Sequence, residues 1–130
     1  MTQPALILIT EDEALLRAVI EENLKDAGYE VVLASSGAEA IAKLEAESDK
    51  IQALVTDIRL GDGPNGWDVA RRGRELIHDL PVVYLTADSS GEWSSQGVPN
   101  SVLVVKPFAS GQLVTAVSTL LNDVAAHRAP

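Results

Sequence analysis

The stretch Ile51-Gln52-Ala53-Leu54-Val55-Thr56-Asp57 is typical of a short buried strand that ends on a carboxylate. The next residues, 58–66, are rich in glycine and form a loop by composition. In open α/β sheets, ligands bind at the carboxyl ends of the strands, so an acid at this position indicates a binding or reaction site. A second apolar run, Leu6 to Thr10, leads directly into Glu11-Asp12-Glu13. Two such strand ends side by side bring carboxylates together, and these repel one another unless a cation lies among them.

Length and composition indicate one globular domain. The chain has 130 residues, of which 46% are hydrophobic and 22% charged. We therefore predict a single domain over 1–130, with a core of about 5–125 and no output domain. There is no cysteine, which excludes disulfides, thiolate catalysis and zinc–thiolate sites.

The charge and the apolar runs bear on location and partners. The apolar runs are only strand-sized, and no signal peptide is apparent, so we expect a cytoplasmic protein with no membrane partner. The net charge of −9 disfavours nonspecific nucleic-acid binding, which needs a basic surface. The same charge is equally compatible with a role in solubility alone.

The apolar pattern predicts five strands that alternate with five helices. Strands are expected at 5–10, 29–34, 51–56, 82–86 and 102–105. Helices are expected at 13–27, 37–46, 66–77, 92–96 and 110–125, followed by a loose tail over 126–130. The fourth helix should be short, because serine and glycine dominate its surroundings. This alternation predicts an α/β fold, a doubly wound parallel sheet with right-handed crossovers and helices on both faces.

Polar residues lie at the ends of four predicted strands: Glu11-Asp12, Asp57, Thr86 and Lys106. In a parallel sheet these ends share one edge, so carboxylates, a hydroxyl and an ammonium group converge. Oxygen ligands of this kind suit Mg²⁺, which takes few protein carboxylates and keeps several waters. The combination is suited to a phosphoryl group, with Asp57 as the nucleophile and the metal, Lys106 and Thr86 binding its oxygens.

With these residues in order, the chain resembles the receiver domain of two-component response regulators, of the single-domain type. The matching motifs are Glu11-Asp12, Asp57, Thr86-Ala87 and Lys106-Pro107-Phe108. The resemblance implies the flavodoxin-like strand order 2-1-3-4-5. It also implies a cis peptide bond before Pro107.

The resemblance further implies a signalling function with Asp57 as the phosphoacceptor. The donor would be a phosphohistidine of a sensor histidine kinase or a histidine phosphotransfer protein. Glu11, Asp12, Asp57 and the backbone carbonyl of Arg59 would hold Mg²⁺, Lys106 would contact the phosphoryl group, and Thr86 would move to bond it. Such a domain is not an enzyme with external substrates, since it catalyses only its own phosphotransfer and dephosphorylation. Its output would be a switched surface that binds a downstream protein or a second copy.

The chain departs from the family pattern in three places. The loop from Asp57 to Gly66 is one residue longer, with Gly61 where a proline is common. Leu103 stands where many receivers carry a switching aromatic residue, and the fourth helix is stunted. Pro81, Tyr84 and Thr86 resemble an alphaproteobacterial single-domain subgroup with an aromatic-rich fourth strand. With Leu103 in place of an aromatic residue, a rotating ring cannot transmit the change at that position. The glycine- and serine-rich segment Ser89 to Gly97 has little intrinsic helicity, so we expect phosphorylation to order it.

Other interpretations remain open at this point. A phosphatase with an aspartyl nucleophile would have a second acid two residues later, where this chain has Arg59. An FMN binder would have a phosphate loop after the first strand, where Glu11-Asp12-Glu13 would repel a phosphate. A receiver that has lost phosphorylation would act only as a binding module and would not bind Mg²⁺.

Several other residues are expected to have only structural roles. Glu13 is expected only to cap the first helix, the arginines of the third helix to form a solvated face, and Trp67 to pack in the core.

Overall fold

The computed structural model describes residues 3–87 and 91–128, which alternate strand and helix. The strands are β1 (Leu6–Thr10), β2 (Glu30–Ala34), β3 (Ile51–Asp57), β4 (Val82–Thr86) and β5 (Val102–Val105). The helices are α1 (Ala14–Asp26), α2 (Gly37–Ala46), α3 (Gly66–Leu76), α4 (Trp93–Gln96) and α5 (Ser110–Arg128). The predicted elements are all present, with ends that shift by a few residues.

The five strands form one parallel sheet in the order β2-β1-β3-β4-β5, which confirms the predicted order. Thr10 at the end of β1 lies beside Thr56 of β3. Asp57, the next residue, lies beside Leu85 of β4, and Thr86 lies beside Val105 of β5. The carboxyl ends of four strands therefore meet at one edge of the sheet.

Two separate apolar cores cover the two faces of the sheet, as predicted. Ile7 and Ile9 belong to one core and Leu8 to the other, because successive strand residues point to opposite faces. The first core includes Ile20 and Leu24 of α1 and Leu113 and Val117 of α5, and the second includes Ala40 and Leu44 of α2 and Val69 and Ala70 of α3. Since strand residues on both faces are buried, the central strands have no polar alternation, which explains the continuous apolar runs in the sequence.

The arginines of α3 bind three neighbouring elements rather than forming only a solvated face. Arg72 Nη2 lies 2.9 Å from Glu45 Oε2 of α2, and Arg74 Nε donates to the Leu80 carbonyl at 2.6 Å. Arg71 donates to the carbonyl of Gln96 at 3.2 Å and also to its side-chain oxygen. These contacts connect α3 to α2, to the loop before β4 and to the end of α4.

Two further predictions about elements have different outcomes. The short fourth helix is confirmed, since α4 has four residues and buries none of them. The loose tail is wrong for residues 126–128, because α5 continues to Arg128. No glycine or proline interrupts the sequence between Gln112 and Arg128, and alanine favours helix. Among the residues described, no helix has the length and apolar character needed to span a bilayer.

Candidate functional site

Three carboxylates meet at the carboxyl edge of the sheet. Oxygens of Glu11, Asp12 and Asp57 all lie within 4.8 Å of one another. Asp57 is the last residue of β3, and Glu11 directly follows β1. The side chains of Glu11 and Asp57 are buried, whereas Asp12 is exposed. The structure therefore brings together the three acids that the sequence predicted.

The ammonium group of Lys106 lies between two of these acids. Its Nζ is 3.1 Å from Glu11 Oε1 and 2.9 Å from Asp57 Oδ2. Lys106 directly follows β5, and its backbone N–H donates to the carbonyl of Thr86 at 2.7 Å. The Lys106–Pro107 peptide bond is cis, as the resemblance implied. The lysine at the end of β5 lies near the acids because β1, β3, β4 and β5 all end at the same edge of the sheet.

Burial and neighbouring charge change the acid–base properties of this cluster. Burial raises the pKa of Glu11 to about 7, with a further increase from the charge of Asp57. Burial alone would lower the pKa of Lys106, but hydrogen bonding to Asp57 and the charges of both acids outweigh it, so the pKa of Lys106 is raised. Lys106 is therefore held as a cation. The repulsion between the neighbouring carboxylates appears in the raised pKa of Glu11.

The turn between β1 and α1 is organised around Glu11. Glu11 Oε2 accepts a hydrogen bond from the backbone N–H of Glu13 at 3.2 Å. Glu13 occupies the N-cap position of α1, as predicted, but its side chain makes no capping hydrogen bond. Arg17 Nη1 donates to the Glu11 carbonyl at 2.8 Å. Sequence reasoning missed Arg17, since an arginine on an amphipathic helix carries no local sign of such a contact.

Glycines shape the loop that follows Asp57. The N–H of Gly66 donates to the Ile58 carbonyl at 2.8 Å, and a Cβ at position 66 would come within 2.3 Å of the Asp57 carbonyl oxygen. Gly61 and Gly63 have φ angles of 75° and 87°. Proline is fixed at φ near −65°, so the positive φ at position 61 explains why glycine rather than proline stands there.

A cavity of about 600 Å³ opens beside this loop and the end of β4. Its lining includes Arg59, Asn65, Trp67, Thr86 and Glu92. Thr86 is buried, with 8% of its surface exposed. Trp67 is also buried in the core, as predicted, but the sequence did not indicate that it also borders the site.

The arrangement supports chemistry at the Asp57 carboxylate. Three acids lie close together and one lysine contacts two of them, so the cluster retains negative charge when all of the acids are ionised. A hard divalent cation with oxygen ligands fits such a set, and Mg²⁺ needs only a few protein carboxylates. A carboxylate, a fixed ammonium group and a hydroxyl at one sheet edge form a suitable site for a phosphoryl group.

Comparison with known proteins identifies the family. Residues 7–118 match the response regulator receiver domain. This chain belongs to the response regulator receiver domain family. The transcriptional regulatory protein CusR of Escherichia coli K12 is 34% identical over 122 residues, which cover 92% of this chain and 52% of CusR. The receiver domain described here thus spans about half the length of the curated relatives it matches.

Solved structures of receiver domains have the same fold. A response regulator receiver protein from Sinorhizobium medicae WSM419 is 47% identical, with a TM-score of 0.89, and the match covers 92% of this chain and 96% of that one. The receiver domain of sensor histidine kinase PA1611 from Pseudomonas aeruginosa PAO1 is 26% identical, with a TM-score of 0.79 and coverage of 92% and 98%. That structure has a magnesium ion coordinated in its active-site cleft. The comparisons favour the receiver interpretation over the phosphatase and the FMN binder.

The position of Lys106 leads to a prediction about stability. Lys106→Met should lower the free energy of unfolding by about 2 kcal/mol in metal-free buffer, because it leaves two buried acids without their shared cation. Urea unfolding in the presence of a chelator measures this. Lys25→Met is the matched control, since Lys25 pairs with Glu21 at 2.8 Å but is 57% exposed, and it should cost less than about 0.5 kcal/mol. Equal losses in the two variants would contradict the role of Lys106.

Proposed function

We propose that Asp57 accepts a phosphoryl group from a phosphohistidine of a sensor histidine kinase or a histidine phosphotransfer protein. The observation that carries this proposal is the position of the Asp57 carboxylate, 2.9 Å from Lys106 Nζ and next to two further acids at the sheet edge. Membership of the receiver family supports the same function. The alternative of a binding module without phosphorylation is disfavoured, because the side chains that phosphorylation requires are all present.

The proposed transfer is a direct displacement at phosphorus. An Asp57 carboxylate oxygen forms a bond to phosphorus while the P–N bond to the donor histidine breaks. The imidazole leaves with the bonding electron pair and takes up a proton. Lys106 shifts its hydrogen bond from Asp57 to a phosphoryl oxygen, and the Thr86 hydroxyl donates another. Later attack by water on the acyl phosphate releases inorganic phosphate and restores the Asp57 carboxylate.

We assign Mg²⁺ as the cofactor of this chemistry. The residues that would hold it are Glu11, Asp12 and Asp57, with the backbone carbonyl of Arg59 as a further ligand. The close approach of three acid oxygens fits a hard cation. When bound, Mg²⁺ would neutralise the charge of the acids and the incoming phosphoryl oxygens. The Mg²⁺ in the PA1611 receiver domain supports this assignment.

The proposed output is a change of surface rather than turnover of a substrate. Phosphorylation would order the segment Ser89 to Gly97, of which residues 89 and 90 lie outside the part of the chain that the structure describes. Thr86 and Lys106 would supply the contacts that differ between the two states. The surface formed by this segment, β5 and α5 would then bind a downstream protein or a second copy. Trp93 and Val105 on this surface are each 37% exposed, which supports such an interface.

The wider setting of the protein is also a proposal. We propose a single receiver domain over residues 1–130 that acts in the cytoplasm, without a membrane or nucleic-acid partner. The acidic charge of −9 supports the last point. CusR is a transcriptional regulatory protein, but the match covers only 52% of it, so its regulatory function is not transferred to this chain.

Phosphorylation of Asp57 is tested directly by intact mass. Incubation with phosphoramidate and Mg²⁺ should add one phosphoryl group, and hydroxylamine should remove it because an acyl phosphate is labile to this nucleophile. Asp57→Asn should remain unmodified while keeping its fold, measured by circular dichroism. Asp62→Asn, which changes an acid in the same loop, should be modified like the wild type. Equal modification of the Asp57 variant would place the acceptor elsewhere.

Binding of Mg²⁺ should respond in opposite directions to two substitutions. Asp12→Ala should weaken binding by about ten-fold or more, because it removes one of few charged ligands. Lys106→Met should strengthen binding by roughly ten-fold, because it removes a positive charge that competes for Asp57. Calorimetry measures both affinities, and Asp26→Ala at the far end of α1 is the control. Changes in the same direction would contradict the proposed site.

A further inference from the structure

Tyr84 lies at the centre of the face of the sheet that carries α3. It is fully buried on β4, and its neighbour in the sheet is Leu103 of β5. Leu103 stands where many receivers carry a switching aromatic residue. The large aromatic side chain at this place in the sheet therefore belongs to β4, one strand closer to the phosphoacceptor. Tyr84 is also two residues before Thr86 on the same strand.

The Tyr84 hydroxyl fixes the chain after α4. It accepts a hydrogen bond from the backbone N–H of Val98 at 3.0 Å, in buried surroundings. Burial raises the pKa of Tyr84, so the phenol stays neutral. Other contacts also hold this segment: Val98 is buried in the core and its carbonyl accepts from Ser101 Oγ at 2.6 Å. Arg71 binds Gln96, and Trp93 Nε1 donates to Ser101 Oγ at 3.0 Å, while α4 itself buries no residue. Among these hydrogen bonds between residues 91–98 and the rest of the chain, the one from Val98 to Tyr84 reaches the buried centre of β4.

Besides its place on the same strand as Thr86, the Tyr84 ring is connected to the phosphoacceptor through Trp67. It contacts the ring of Trp67 edge-on, with centroids 4.7 Å apart. Trp67 follows Gly66, whose Cα lies against the Asp57 carbonyl so closely that a Cβ would come within 2.3 Å of its oxygen. Displacement of β4 at Thr86, or of the loop at Asp57, therefore acts on the position of the Tyr84 ring, because the core around it is close-packed.

We propose that the Tyr84 hydroxyl transmits the state of Asp57 to the segment 91–98 through its hydrogen bond with Val98. This inference rests on the proposed phosphorylation of Asp57. It assigns to a buried tyrosine of β4 the coupling that a rotating aromatic residue of β5 provides in other receivers. In the proposed coupling, the geometry of this hydrogen bond differs with and without the phosphoryl group. The exposed surface near Trp93 changes position together with the hydrogen bond.

The test compares amide hydrogen exchange with and without beryllofluoride and Mg²⁺, which together mimic the phosphoryl group. In the wild type, exchange of the Val98 amide and of residues 91–98 should slow when the mimic is added. In Tyr84→Phe, which keeps the ring, the Val98 amide should exchange faster without the mimic. The slowing caused by the mimic should fall to below about a third of the wild-type change. Tyr29→Phe is the matched control, since it removes a hydroxyl that bonds Ser118 at 2.6 Å on the other face of the sheet, and it should behave like the wild type.

The outcomes separate the two proposals. Modification of the wild type and of both variants by phosphoramidate is measured first, by intact mass. If the wild type takes no phosphoryl group, the proposed function fails. If all three proteins are modified but Tyr84→Phe shows the full change over 91–98, the coupling through Tyr84 is overturned. An unchanged Val98 amide in the wild type would overturn it as well, without reliance on any variant.

Discussion

The site depends on one interaction, the contact of the Lys106 ammonium with the carboxylates of Glu11 and Asp57 at 3.1 and 2.9 Å. The carboxylates of Glu11 and Asp57 are both buried and close together, so they would repel each other without a cation. Lys106 allows both to stay buried while the site is free of metal. The same ammonium is well placed to contact a phosphoryl group on Asp57. Stability of the resting protein and chemistry of the site thus depend on the same side chain.

The fold is what brings these groups together. Glu11, Asp57 and Lys106 belong to β1, β3 and β5 or the residues directly after them, which lie far apart in the sequence. The parallel order β2-β1-β3-β4-β5 aligns the ends of these strands at one edge. Gly66 then allows α3 to start against the Asp57 carbonyl, which closes the loop that borders the site. The strand order and the close approach at Gly66 are both features of the backbone, and together they position the polar side chains of the site.

Much of this arrangement could be predicted from the sequence, and the limits have physical causes. Apolar runs ending in Glu11, Asp57 and Thr86 predicted the strand ends, because burial on both faces removes the polar alternation. The contact of Arg17 with the Glu11 carbonyl and the hydrogen bond of Tyr84 with Val98 were not predictable, since each joins residues that no local pattern connects. The continuation of α5 to Arg128 was missed because helix ends without a glycine or proline carry a weak signal.

Residue-level mapping of the modified protein decides whether Asp57 carries the phosphoryl group. Borohydride reduces an aspartyl phosphate to homoserine, so treatment of the phosphorylated protein marks the acceptor permanently. Peptide mass spectrometry then locates it. We expect homoserine at position 57 and at no other aspartate, including Asp12 and Asp62. Homoserine at another aspartate, or a phosphoryl group that resists borohydride on a hydroxyl or a histidine, would contradict the account.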